Sequence, residues 1–394
     1  MGSADRLIVF SGVRHYWCAN GYVAHGGFVR EVDVWARVFR SVVVVCPVVR
    51  DGGARAADCV QYEEPNIEVV SLGSPVETTG VRGKLRLLGQ APHWVRTASA
   101  VIHNGDVLMA RGPDSVGFLG AVVGRTRKVK RFAKYADQWT PFAGEPWGYR
   151  LQKLVYGSRV FGGPVQIYGE PDSRRPHLVT FVPSTLSEME WRAAGELVAR
   201  RQPPPPFRLL FVGRLVPAKG ADVLLEAVHR THREGRCGVQ LDIVGDGPER
   251  ARLVDLAAAL GIARAVRFRG WVGWGELSGL YAQAHCFIHA SRKEGFGKVL
   301  IEALAHQLPV VATDVGVSRL ILEAPRYGFI IPPNDSGALA EGIARVIRDP
   351  EAAAAVARQG RERARDFLLE RFAERCEELV RVHLGLDVNR ARVQ

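Results

Sequence analysis

Short β-branched and aliphatic runs alternate along this chain with longer stretches whose apolar positions recur every three or four residues. In the first half, "RLIVF" (6–10), "SVVVVCP" (41–47) and "IEVVSL" (67–72) read as strands, and "GDVLMARGP" (105–113) and "KVKRFAKYAD" (128–137) continue the style. Between the first two, "GGFVREVDVWARVF" sets Phe28, Val32, Trp35 and Phe39 at helical spacing. Pro203 to Pro206 then interrupt; four prolines in a row join neither a helix nor a central strand, so they predict a stiff linker. A fresh alternation follows, from strand "FRLLFVGRL" (207–215) and helix "GADVLLEAVHRTHR" (220–233) to strand "GFIIPP" (328–333), and the tail from Glu351 is helical. The pattern predicts an α/β chain of two Rossmann-like, doubly wound domains facing each other across a cleft, residues 1–200 and 201–366. Ligands of such sheets bind at the carboxyl ends of the strands.

Three breaks at predicted strand ends carry candidate chemistry. In "VGRLVPAKGADVLLEAV" a strand ends at Gly213, and Arg214 and Lys219 precede a helix; two cations beside a helix N-terminus make an anion site, or are simply loop charges. In "VGDGPERARLVDLA" two glycines permit a tight turn, and Asp246 either caps the next helix or touches a ligand, with capping favoured. Arg250 stands where a dinucleotide fingerprint needs its third glycine. In "EGFGKVLIEALA", Glu294 sits at the mouth of a helix, and Gly295 and Gly297 let backbone approach a ligand. Glu302 falls among Val299, Leu300, Ile301, Ala303 and Leu304, and a carboxylate in that company needs a hydrogen-bonding partner or an exposed face. Phosphate suits the free amides at that helix start, and sugar hydroxyls suit the carboxylates.

Composition narrows the setting. The 394 residues are 47% hydrophobic and 24% charged, ordinary for a soluble chain with two cores. No apolar run approaches the roughly 18 residues of a membrane span. Six scattered cysteines without a C-x-x-C pair fit reduced thiols, which points to the cytoplasm. The formal charge is +12, and the densest basic run is Arg125 to Lys134. That run reads either as a solvated face flanking a buried strand or as a contact with an anionic acceptor or the inner face of a membrane. No nucleic-acid-binding signature accompanies it.

With those residues in view, the second half resembles the retaining GT-B glycosyltransferases of family 4. The resemblance runs from about Phe207 to Asp335 through "FVGRLVPAKG", "IVGDGPE", "RFRGWV", "HASRKEGFGKVLIEALAHQLPVVATDVG" and "GFIIPPND". It implies a nucleoside diphosphate sugar as co-substrate and no cofactor; no D-x-D pattern lies at a plausible strand end, so no metal is expected. By carry-over, Arg214 and Lys219 bind the diphosphate, Glu294 contacts the donor sugar and Glu302 the ribose. Gly213 and Asp246, with Gly295, Phe296, Gly297, Lys298, Val299 and Leu300, complete the donor site, and Gly270 and Val272 mark a base-binding edge. In the first half Gly26 and Gly27 resemble the family's Gly-rich entry to the first helix. Where many members carry a histidine near the reacting carbon, this chain has Tyr135 or Asp137; His25 and His103 are further acceptor-side candidates, and "RHYW" (14–17) either lines an acceptor pocket or packs on the sheet. The family's tails cross back onto the first domain, so 367–394 is expected there. The resemblance implies transfer of a hexose-type unit to a small-molecule, glycan or lipid-linked acceptor. The rival readings are a non-catalytic nucleotide-sugar-binding protein and a guanosine diphosphate sugar in place of a uridine one.

Overall fold

The structure is a computed structural model and describes residues 2–3, 5–19, 21–50, 59–75, 80–142, 144–169, 173–184, 186–199, 206–235 and 238–388. The chain divides into two compact units, Met1–Thr185 with Phe372–Gln394, and Leu186–Arg371.

Unit 1 is built on seven parallel strands: β1 (Arg6–Phe10), β2 (Ser41–Cys46), β3 (Ile67–Ser71), β4 (Val107–Gly112), β5 (Lys130–Gln138), β6 (Val165–Tyr168) and β7 (Leu178–Thr180). They lie in the order β7-β6-β5-β4-β1-β2-β3, with Ile8 opposite Val43 and Phe10 opposite Val45. Leu7 to Phe10 and Val42 to Cys46 are all buried, because a parallel sheet covered on both faces needs unbroken apolar strands. Helix α1 (Gly26–Val38) buries Phe28, Val32 and Trp35 as its spacing predicts, and also buries Glu31 and Asp33. An antiparallel hairpin, His15–Cys18 with Gly21–His25, feeds directly into α1. From the second segment of the unit, Phe372 packs edge-on against Trp35 (6.4 Å) and Phe181 (5.3 Å). Near the chain's end Leu386 pairs in parallel with Gly2. The tail from Glu351 is helical over Pro350–Ala364 and again over Leu369–Glu378, followed by a π-helical turn at Leu379–His383; residues 389–394 lie outside the described residues.

Within the basic run Arg125, Arg127, Lys128 and Lys130 are exposed, as a solvated face flanking a buried strand would be, but Lys134 is not part of that face. Lys134 is buried on β5, ion-paired with Glu31 of α1, and its Nζ lies 4.2 Å above the Phe181 ring. Lys130 donates to the carbonyls of Leu384 and Gly385, and Arg131 to that of Gly124. Among the described residues no helix is long and apolar enough to cross a membrane.

Unit 2 begins earlier than residue 201. Helix α2 (Glu188–Ala199) belongs to it because Trp191 donates its indole N–H to the Arg361 carbonyl (3.1 Å) and lies under the Arg361 guanidinium (4.0 Å). Pro203, Pro204 and Pro205 of the expected linker lie outside the described residues. Six parallel strands follow: β8 (Phe207–Val212), β9 (Val239–Val244), β10 (Val266–Gly270), β11 (Cys286–His289), β12 (Val310–Thr313) and β13 (Phe329–Ile331). Their order is β10-β9-β8-β11-β12-β13. Helices α3 (Ala221–Arg233), α4 (Arg250–Ala259), α5 (Trp274–Gln283) and α6 (Lys298–Ala305) connect the strands. Leu224, Leu225 and Val228 of α3 pack on Leu209, Phe211, Ile243 and Ile288 of the sheet. The strand order reverses between β8 and β11, so the chain leaves these neighbours toward opposite faces. Their carboxyl ends bound the crevice where an open α/β sheet takes its ligand.

Candidate functional site

The loops after β8 and β11 meet at that crevice. Gly213 directly follows β8 and donates to the Val244 carbonyl (3.0 Å). Arg214 is exposed, and its guanidinium has no hydrogen-bond or ion-pair partner among the described residues. A single 3-10 turn, Pro217–Lys219, then leads into α3. Gly220 joins them at φ 65°, and a Cβ there would lie 2.0 Å from the Ala290 carbonyl oxygen, so only glycine lets the two loops close together. Arg292 locks the junction, with both guanidinium arms on the Asp222 carboxylate (2.8 and 2.9 Å) and a further bond to the Pro217 carbonyl (2.7 Å).

Glu294 is the centre of the arrangement. Its Oε2 accepts from Lys219 Nζ and lies 3.4 Å from His289 Nε2, which is itself 3.2 Å from Ser291 Oγ. Burial alone would raise this carboxyl. The histidine and the Lys219 charge outweigh it and hold the carboxyl down at about 2, so Glu294 is a carboxylate at any physiological pH. Gly295 and the buried Phe296 lead to Gly297, which caps α6 at φ 70° and offers no side chain to the first amides, those of Lys298 and Val299. Behind it, Leu300 is fully buried. A carboxylate, an ammonium and a helix N-terminus therefore converge where strand order reverses, with the exposed Arg214 on the loop after β8. That set can hold an anion and hydroxyl groups together.

Glu302, one helical turn further in, accepts from the buried Tyr281 hydroxyl (2.9 Å) of α5. Tyr281 stacks on His306 (4.9 Å, 20°), whose Nδ1 is 2.8 Å from the Glu302 carbonyl. The hydrogen-bonding partner that the apolar setting of Glu302 demands is thus supplied from within the protein.

Other expected residues fall out differently. Asp246 does not cap α4: the N-cap is Glu249, and the Asp246 carboxylate accepts from the adjacent Gly247 amide (2.7 Å) because the turn at Gly247 delays the helix. Gly270 closes β10 at φ 70° and accepts from the Gly245 amide (2.7 Å), and Val272 lies half-buried beyond the strand end. In unit 1 Gly26 and Gly27 are the first residues of α1, preceded by the exposed His25. Tyr135 faces inward, fully buried against Trp139 (5.2 Å), so it cannot line an acceptor surface. Asp137 stands at the carboxyl end of β5 and accepts from the Gln138 amide (2.7 Å). His103 bonds to Arg6 (2.7 Å) at the amino end of the sheet, the wrong end for a ligand. Of "RHYW", His15 is buried against the Tyr62 hydroxyl (2.7 Å), while Trp17 is exposed beside Tyr22 (4.8 Å). Sequence reasoning missed Tyr281, His289 and Arg292; of these only Arg292, next to a glycine-rich helix mouth, carried a local signal.

Residues 198–363 match the family model for glycosyl transferases group 1. The chain is 33% identical over 144 residues to alpha-D-kanosaminyltransferase of Streptomyces kanamyceticus, covering 36% of this chain and 37% of that protein. It is 39% identical over 166 residues to D-inositol 3-phosphate glycosyltransferase of Streptomyces avermitilis (40% and 35%) and 32% identical over 185 residues to glycogen synthase of Mycobacterium tuberculosis (47% and 44%). The matches thus span less than half the length of these curated relatives. Among solved structures, sucrose-phosphate synthase from Thermosynechococcus elongatus superposes with a TM-score of 0.68 at 21% identity, covering 96% of this chain and 98% of that one. Anabaena HepE in complex with UDP and glucose gives 0.68 at 19%, covering 95% and 99%. Residues 198–363 are thus similar to the group 1 glycosyl transferases, and the chain has the fold of two Rossmann-like sheets seen in these GT-B glycosyltransferase structures.

Proposed function

We propose that this chain is a retaining, metal-independent glycosyltransferase of the family 4 type. It moves a hexose-type unit from a nucleoside diphosphate sugar to a hydroxyl acceptor in cell-envelope glycan or secondary-metabolite synthesis in the cytoplasm. The observation that carries this reading is Glu294, held ionised beside Lys219 at the mouth of α6, where the strand order of unit 2 reverses. The relatives named as kanosaminyl- and inositol-phosphate glycosyltransferases support a small polyhydroxylated acceptor, and the UDP held by HepE supports uridine over guanosine.

On this reading the acceptor oxygen forms its bond to the anomeric carbon on the face from which the diphosphate departs. The bond from that carbon to the phosphate oxygen breaks, and the acceptor's proton passes to the departing oxygen. Negative charge grows on the diphosphate and is met by Arg214, by the Lys219 donors not used on Glu294, and by the α6 amides. Glu294 orients the sugar hydroxyls and offsets positive charge at the anomeric carbon. Glu302, steadied by Tyr281, takes the ribose.

Donor hydrolysis, with water as the acceptor, tests this on a panel of uridine and guanosine diphosphate sugars with EDTA present. Nucleoside diphosphate should be released from a uridine donor, and proton NMR should show the sugar first appearing in the donor's anomeric configuration. Binding without release would favour the non-catalytic reading. An inverted product, or loss of turnover with EDTA, would contradict retention or metal independence respectively.

A further inference from the structure

His289 is the last residue of β11, and its side chain is 4% exposed. A strand position facing a packed interior ordinarily takes an aliphatic side chain, and burying an imidazole there costs free energy unless its nitrogens are used. One is used: Nε2 points at Glu294 Oε2 (3.4 Å) with Ser291 Oγ at 3.2 Å. The other, Nδ1, is buried without a hydrogen-bond partner. A buried N–H without an acceptor costs more than a bare lone pair in an apolar setting, so an N–H belongs on Nε2, the nitrogen facing the carboxylate. The charged groups facing this nitrogen are Glu294 from its own loop and Lys219 from the loop after β8. Ser291 is the neutral neighbour.

Both donors fall on one oxygen of Glu294. Lys219 and His289 address Oε2, whereas Oε1 lies 3.3 Å from the residue's neighbouring Gly295 amide. An Oε2 fixed from two sides sets the carboxylate plane, and the remaining acceptor capacity turns toward the ligand. We infer that His289 is a positioning residue: through Nε2 it fixes the Glu294 carboxylate so that Oε1 is presented to a hydroxyl of the donor sugar. The inference rests on the proposed donor site and deepens it. The 3.4 Å separation is long for a hydrogen bond, as such contacts are before a substrate tightens them.

The test compares wild type, His289→Leu and His289→Gln in two readouts, donor hydrolysis across pH and calorimetric titration with uridine diphosphate. Leucine fills the space and removes the donor; glutamine restores an N–H at a similar reach. With His289→Leu, kcat should fall about tenfold, the loss of one charge-assisted hydrogen bond. The acid limb of kcat should move up by about one pH unit, because Glu294 loses one of the two groups that keep it ionised. Affinity for uridine diphosphate should stay within about twofold, since the product has no sugar for Glu294 to hold. His289→Gln should recover kcat to within about threefold of wild type. Wild-type turnover and an unmoved acid limb in His289→Leu would overturn the inference while leaving the transferase reading intact. Equal losses of diphosphate binding in both variants would overturn it too, by assigning His289 to packing. A wild type that binds no nucleoside diphosphate would overturn the transferase reading, and the inference with it.

Discussion

At the residue scale, the Glu294 and Asp33 carboxyls respond to acid in opposite directions. Glu294 is held at about 2 against 4.5 when unfolded, so it contributes stability above pH 4.5 that is lost as pH falls from there toward 2. Asp33 is raised by burial from 3.8 to about 6, against the pull of the Glu63 and Glu64 amides. Its folded form holds a proton more firmly, so its contribution is lost as pH rises from 3.8 through 6. Asp33→Asn keeps the acceptor for both amides and removes the buried charge. It should raise stability by roughly 1–2 kcal/mol at pH 7.5 and by almost nothing below pH 4, read from thermal melts at the two pH values. Arg214→Ala should lower kcat by roughly tenfold to a hundredfold with a smaller change in donor KM, because its charge is needed most as the diphosphate leaves. Glu294 and Glu302 were legible in the sequence because glycines on either side of Phe296 break a strand pattern before a helical one. Tyr281 and His289 were not, since a strand or helix pattern says which face is buried and nothing about which polar groups meet there.

At the scale of elements, the site depends on loops that touch backbone to backbone. Gly316, in the loop after β12, has φ 56°, and a Cβ there would lie 2.3 Å from the Glu294 carbonyl oxygen. Gly316→Ala should displace the Glu294 loop and lower both stability and turnover. Gly270→Ala, at φ 70° with open space around its Cβ, should cost only about 1 kcal/mol of backbone strain and leave kcat near wild type. Melting curves and donor hydrolysis on both variants separate crowding from strain. The buried Lys134–Glu31 pair joins β5 to α1 in the same exacting way. Lys134→Met should destabilise unit 1 by about 3–5 kcal/mol by stranding Glu31, and the double variant Glu31→Leu with Lys134→Met should recover most of that loss. Strand and helix identities were legible because buried parallel strands must be continuously apolar. The role of Lys134 was not: along the chain it is one more charge in a basic run, and only the fold brings Glu31 beside it.

At the scale of the whole molecule, both Rossmann-like sheets followed from the alternation of short apolar runs and helical spacing. The division between the units did not fall at the prolines. They follow α2, and α2 belongs to unit 2 through Trp191 and Arg361, two residues far apart in sequence. A proline run marks where a helix must stop, whereas a unit boundary is decided by which core a helix packs on. The proposed donor site likewise emerges only with strand order, because the reversal between β8 and β11 places the Lys219 and Glu294 loops side by side. The most direct test of that site is calorimetric titration of uridine diphosphate into wild type, Glu302→Gln and Glu294→Gln. The account predicts binding by wild type, clear weakening in Glu302→Gln, which loses its ribose contact, and near-wild-type affinity in Glu294→Gln, whose partner is the absent sugar. Loss of binding in Glu294→Gln with wild-type affinity in Glu302→Gln would contradict it.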